Sequence, residues 1–250
     1  MENIIIRSEK IRKEYLSDNM QSICIIPGLD LEVKKGEFVV IMGNSGSGKS
    51  TLLYLLSGLE ILTGGRVYIK NTSMPEGQKE KALLRRQNMG FVFQQSNLIP
   101  GLTLLENILV VAYLNNKDRS SAREKSLSLM RYLEIDRLKD RFPDQVSGGE
   151  QQRCAIARAI VNSPGILFAD EPTGNLNSAS TENVLRIFSE LNAKGQTIIM
   201  VTHSVESACY GERIVYLHDG RIVDEYPLTR EFPKHISETK LLKWLTDKGW

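Results

Sequence analysis

Apolar residues along this chain fall into short runs whose period changes from place to place. Residues 37–42, Glu37-Phe38-Val39-Val40-Ile41-Met42, are almost continuously apolar, as a strand covered on both faces requires. A glycine-rich break follows, and then Ser50-Thr51-Leu52-Leu53-Tyr54-Leu55-Leu56 reads as a helix that Gly58 stops. Residues 66–70 and 89–93 read as further strands, separated by a charged helical stretch over 79–86. From 103 to 162 the pattern turns helical, with segments at 104–114, 122–133 and 150–161. Strand signals return at 165–169, 197–201 and 213–217, and Asp219-Gly220 predicts a hairpin turn into Arg221-Ile222-Val223. Strands alternating with helices predict an α/β fold, with a helical subdomain at approximately 95–162 inserted into a sheet core. No internal repeat or low-complexity tract interrupts the pattern.

Composition narrows the class. A chain of 250 residues has ample material for a core, and its formal net charge of +2 provides no strong basic field for nucleic acid. Cys24, Cys154 and Cys209 are widely spaced and form no C-x-x-C pair, so neither a disulfide framework nor a zinc site is expected, and a reducing cytosol fits. The most apolar stretch, 102–114, is short and carries Glu106 and Asn107, whereas a spanning helix needs about 20 mostly apolar residues. The amino-terminal residues show no secretion signal, which predicts that the chain stays on the side where it is made.

Two strings carry the chemistry. Gly43-Asn44-Ser45-Gly46-Ser47-Gly48-Lys49-Ser50, followed by Thr51, has the form G-x-x-x-x-G-K-[ST], whose backbone N–H groups cradle phosphates while the lysine meets the β- and γ-phosphates. It stands between a predicted strand and a predicted helix, as a phosphate loop must. The second string, Ser147-Gly148-Gly149-Glu150-Gln151-Gln152-Arg153, puts small residues at the start of the helix expected to open at Glu150. Free N–H groups and the positive end of a helix dipole make that another phosphate-binding surface. A third motif, Ile166-Leu167-Phe168-Ala169-Asp170-Glu171, is an apolar strand delivering two carboxylates at its carboxyl end, where ligands gather in open parallel sheets. One carboxylate can serve a metal and the other a water.

Over roughly residues 3–225 the chain resembles the nucleotide-binding domains of ATP-binding-cassette (ABC) transporters, a P-loop NTPase fold with a RecA-like sheet core. More narrowly it resembles the lipoprotein-release, macrolide-export, cell-division and bacitracin-type efflux branch. Phe91-Val92-Phe93-Gln94-Gln95, Thr103-Leu104-Leu105-Glu106-Asn107, the string from Val146 to Arg153, and Ala169-Asp170-Glu171-Pro172-Thr173-Gly174-Asn175-Leu176 carry that likeness. The resemblance implies that Ser50, Gln94 and Asp170 hold Mg²⁺ and that Glu171 orients or deprotonates the attacking water. His203 would contact the γ-phosphate, and Ser147, Gly148, Gly149 and Glu150 would meet ATP held by the opposite subunit. Tyr15 is the candidate for stacking on adenine, and is equally readable as a packed strand residue.

The same resemblance implies a head-to-tail homodimer enclosing two ATP molecules, at the cytoplasmic face of the membrane and bound there through a separate permease. Export or efflux of a peptide or drug, or lipoprotein release, is the expected work; a cell-division-type relay moving no cargo is the alternative. Soluble cassettes acting on ribosomes or DNA usually have two cassettes or a long coiled-coil insertion, and this chain has neither. Asn116-Lys117-Asp118-Arg119 lacks the Asn-Lys-x-Asp spacing by which small GTPases read guanine. Two residues depart from the family's pattern: Asn177 stands where aspartate is usual, and Val146 where leucine is commoner. Beyond residue 225 the likeness fades. Pro227 and Pro233 break regular structure, and 237–248 predicts a short amphipathic helix, packed on its own domain or facing a partner or membrane surface.

Overall fold

The computed structural model describes residues 3–16, 21–115, 118–228 and 234–250. Asn116, Lys117 and Pro233, used above as sequence signals, lie outside them. The chain opens with two long strands, β1 (Ile4–Leu16) and β2 (Ser22–Lys34), and then β3 (Phe38–Met42) leads into helix α1 (Lys49–Ser57). Strands β4 (Gly64–Ile69) and β5 (Thr72–Ser73) precede helix α2 (Gln78–Asn88) and strand β6 (Met89–Phe93). Helices α3 (Leu104–Asn115), α4 (Arg119–Tyr132) and α5 (Gly148–Ile160) form the helical part. Strand β7 (Ile166–Asp170), helix α6 (Ser178–Ala193), strand β8 (Thr197–Val201) and the short helix α7 (Val205–Ala208) return to the sheet. The hairpin β9 (Arg213–His218) and β10 (Arg221–Pro227) and helix α8 (Lys234–Asp247) complete the chain.

The strands build two sheets. One is antiparallel in the order β2-β1-β4-β5, and the other runs β10-β9-β3-β8-β7-β6. In the larger sheet β9, β3, β8, β7 and β6 pair in parallel, and only β10 runs against its neighbour. Every residue of β3 is buried, so both faces of the strand are covered and its run is continuously apolar. Its side chains divide by parity: Val39 and Ile41 join α1 and the antiparallel sheet in one core, whereas Phe38, Val40 and Met42 join α3, α5, α6 and α8 in another.

The expected hairpin turn is present. Asp219 and Gly220 take φ of +46° and +71°, the pair of left-handed residues that a tight hairpin needs. The helix expected at 237–248 forms within α8, burying Leu241 and Leu245 in the core that contains α6. Trp244 packs against Tyr216 and Tyr226, and Lys248 pairs with Asp224 at 2.6 Å.

Strands β1, β2 and β5 and helices α6 and α7 were not anticipated. The antiparallel pair β1 and β2 hides behind a charged run with register shifts and a left-handed Lys10, φ +44°. Helix α6 buries Val184, Leu185, Phe188 and Leu191 at helical spacing, and α7 is a single turn capped by Ser204. One boundary also requires correction. Helix α5 opens at Gly148, not Glu150, because Ser147 is its N-cap and Glu150 closes a capping box from the third helical position.

Candidate functional site

The sheet order places the predicted site residues at neighbouring strand ends. Glycine loop 43–48 follows β3, His203 follows β8, Asp170 ends β7 and Gln94 follows β6. Since these strands are consecutive and parallel, all four loops emerge on one edge of the sheet.

The loop is shaped by its glycines. Gly43 has no room for a side chain, because a Cβ would run into the Leu217 carbonyl of β9. Gly46 and Gly48 take φ of +79° and +95°, which L side chains rarely adopt, and Gly48 is the N-cap of α1. Asn44, Ser45 and Gly46 are exposed, while the buried Ser47 Oγ has no hydrogen-bond partner among the described residues. The Lys49 ammonium donates to the Gly43 and Asn44 carbonyls, each at 2.8 Å. Burial pushes its pKa down, against the opposing pull of Glu171 and Asp170.

The carboxylates reach the same place. Ser50 Oγ donates to Asp170 Oδ1 at 2.9 Å, and the Tyr54 phenol donates to Asp170 Oδ2 at 2.6 Å. Burial first, then the bond to Asp170, raises the phenol's pKa. Glu171 has a left-handed φ of +45°, uncommon outside glycine, and its N–H donates to the Val201 carbonyl at 3.0 Å. That turn directs Glu171 Oε1 to His203 Nδ1 at 2.8 Å. That hydrogen bond engages Nδ1, so the other ring nitrogen, Nε2, is not the one held by Glu171.

Gln94 and part of the signature string, residues 147–153, line one cavity. Gln94 Nε2 donates to Asn175 Oδ1 at 3.1 Å, and both residues line a cavity of about 500 Å³ together with Gly148 and Gln152. Ser147 donates to Glu150 Oε2 through its N–H at 2.9 Å and its hydroxyl at 2.8 Å, which holds the Glu150 carboxyl below its ordinary pKa. Gly149 lies close to α6, where an added Cβ would stand 2.6 Å from Ser180 Oγ. Thr51 interacts with the Tyr15 side chain. Tyr15 itself is 40% exposed, its phenol donates to Glu60 Oε2 at 3.3 Å, and the Lys13 ammonium sits 4.5 Å from its ring centroid. Its ring is therefore neither free nor fully packed.

Sequence reasoning passed over two of the side chains that organise this site. Tyr54 lies four residues after Ser50 on α1, and that spacing alone puts both hydroxyls on one helix face. Gln152, buried in α5, donates from Nε2 to the Phe93 carbonyl at 2.8 Å and the Pro172 carbonyl at 2.7 Å. It thereby ties the signature helix to the loops after β6 and β7, and no one-dimensional signal gives such a bridge. Asn177, at the site of the usual aspartate, caps α6 by accepting from the Ser180 N–H at 2.9 Å.

A strand-to-helix glycine loop with its lysine, facing carboxylates from a parallel sheet, defines a phosphate-loop nucleotide-binding protein. The chain belongs to the ABC transporter family, whose model matches residues 26–174. It is 46% identical over 219 residues to the lipoprotein-releasing system ATP-binding protein LolD of Aquifex aeolicus, spanning 87% of this chain and 98% of LolD. It is 41% identical over 220 residues to the bacitracin export ATP-binding protein BceA of Halalkalibacterium halodurans, spanning 87% of each. The dimeric structure of the ABC transporter cassette MJ0796 superposes with a TM-score of 0.82, at 40% identity over 90% of this chain and 99% of that one. MJ0796 has also been solved as a dimer in a post-hydrolysis state bound to ADP and Pi. This chain is thus an ABC ATPase with the cassette fold. Among the described residues, no helix is long and apolar enough to cross a membrane.

Proposed function

We propose that this chain hydrolyses ATP as one half of a homodimer and that hydrolysis drives a separate membrane permease, for peptide or drug efflux or for lipoprotein release. The carrying observation is the convergence of the Ser50–Asp170 and Glu171–His203 contacts, at 2.9 and 2.8 Å, beside the glycine loop. Likeness to both LolD and BceA supports the cargo classes. The exposed Val110, Tyr113 and Leu114, at i, i+3 and i+4 on α3, suit a docking partner. The assembly would sit at the cytoplasmic face of the membrane.

Phosphoryl transfer to water needs in-line placement and stabilised negative charge. The loop N–H groups from Gly43 to Thr51 and the Lys49 ammonium bind the phosphates. Glu171 receives the water's proton or orients the water, and His203 holds that carboxylate through Nδ1 while Nε2 faces the γ-phosphate. The Ser147–Glu150 segment offers its first-turn N–H groups to the nucleotide of the opposing subunit, and Tyr15 takes the adenine ring. The oxygens of Ser50 Oγ and Asp170 Oδ1 suit Mg²⁺, a hard cation, and the family pattern adds the Gln94 side chain as a third ligand. Mg²⁺ bound there supplies positive charge to the phosphate oxygens.

The test is Glu171→Gln. The variant is expected to bind ATP, to lose turnover by about 10²-fold or more, and to accumulate as a dimer by light scattering. The same variant, tagged and purified from detergent-solubilised native membranes with ATP and Mg²⁺, is expected to bring down an integral membrane protein. Normal turnover would overturn the catalytic assignment, and recovery of only ribosomal or DNA-bound proteins would overturn the permease.

A further inference from the structure

We propose that Tyr54 is a positioning residue for the cation site: its phenol fixes the rotation of the Asp170 carboxylate so that Oδ1 faces the Ser50 hydroxyl. The inference rests on the cation site proposed above and assigns a role to a residue outside the glycine-loop pattern. A carboxylate's terminal torsion is broad and two-fold, so one hydrogen bond leaves its plane free to turn. Here both oxygens are held, Oδ1 by Ser50 at 2.9 Å and Oδ2 by Tyr54 at 2.6 Å. The two donors stand four residues apart on α1, one turn of one helix presenting both to a single side chain.

Tyr54 is itself well anchored. Its carbonyl accepts from the Leu59 and Glu60 N–H groups at 2.9 and 3.1 Å, where Gly58 ends the helix, and its ring packs on the core beneath α1. Ser50 has one proton to give and two lone pairs, so it can meet a cation while still donating to Oδ1, but it leaves Oδ2 unheld. Tyr54 Oη holds that second oxygen and is the other tether between α1 and β7. Outer hydrogen bonds of this kind orient metal-binding carboxylates and set their affinity.

The experiment compares wild type, Tyr54→Phe and Asp170→Asn by electron paramagnetic resonance of Mn²⁺ added with a non-hydrolysable ATP analogue. Nucleotide binding in excess chelator is measured alongside. Tyr54→Phe keeps the ring and its packing. It is expected to weaken Mn²⁺ binding about tenfold while leaving metal-free nucleotide affinity unchanged, and excess Mg²⁺ should restore its ATPase rate. Equal Mn²⁺ affinity in Tyr54→Phe and wild type would overturn the role of Tyr54 alone. A parallel loss of metal-free nucleotide binding would overturn it too, by showing that the phenol supports the helix and not the carboxylate. Mn²⁺ binding that is absent from wild type, or unaffected in Asp170→Asn, would overturn the cation site itself.

Discussion

Replacing Gln152 with leucine removes both donors that hold the Phe93 and Pro172 carbonyls, at 2.8 and 2.7 Å, and adds no bulk to a position only 2% exposed. Each buried carbonyl left without a donor costs roughly 1–3 kcal/mol, so the pair costs about 4 kcal/mol. Burying the apolar leucine returns about 1.5 kcal/mol, which leaves a net loss of about 2.5 kcal/mol. For a chain of this length, 1 kcal/mol moves the midpoint by about 2–4 °C, so the expected fall is about 5–10 °C. Thermal unfolding followed by circular dichroism reads it directly. ATPase activity measured well below the midpoint should fall as well, because the amide ties α5 to the loops that carry Gln94 and Glu171. A midpoint within about 2 °C of wild type would refute the reasoning, since the loss would then be smaller than one orphaned carbonyl.

The capping box gives a pH-dependent signature. The folded Glu150 carboxyl is held below its ordinary value by the Ser147 N–H, with the hydroxyl adding to it. Its contribution to stability is therefore present above the unfolded value and lost as pH falls through the folded one. The stability gap between wild type and Glu150→Ala, measured by urea unfolding, should be present at neutral pH and close in acid; a gap independent of pH would refute the assignment. At the start of α6, Asn177→Ala is expected to cost about 1 kcal/mol through loss of the cap. Asn177→Asp keeps the cap and places a negative charge at a helix N-terminus, which should leave stability equal or raise it by about 0.3–1 kcal/mol in a thermal melt.

The larger sheet was legible because its central strands are covered on both faces, which turns 38–42, 166–169 and 198–201 into unbroken apolar runs. Glycine signals were equally plain: Gly58 ends α1 with φ +66° and Gly220 turns the hairpin. The antiparallel sheet was missed although Leu29-Asp30-Leu31-Glu32-Val33-Lys34 alternates buried and exposed without exception. Pro27 and Gly28 just before it and the charges of β1 read more easily as loop. Start positions shifted where caps decided them, as at Ser147, whose glycines belong to the first turn of α5. In the candidate site, residues with a motif could be named from the sequence and residues that reach across the fold could not. Tyr54 and Gln152 matter through Asp170, Phe93 and Pro172, partners that lie tens of residues away along the chain.

The chain has two tryptophans, Trp244 and Trp250, and both rings lie about 6 Å from Tyr216 at the carboxyl-terminal helix. Ultraviolet emission from this protein is therefore a built-in optical reporter of α8. Because α8 packs on α7, whose cap Ser204 directly follows His203, a spectral change on adding nucleotide would register motion relayed from the histidine loop to the far end of the chain. No dye or engineered label is needed to observe it.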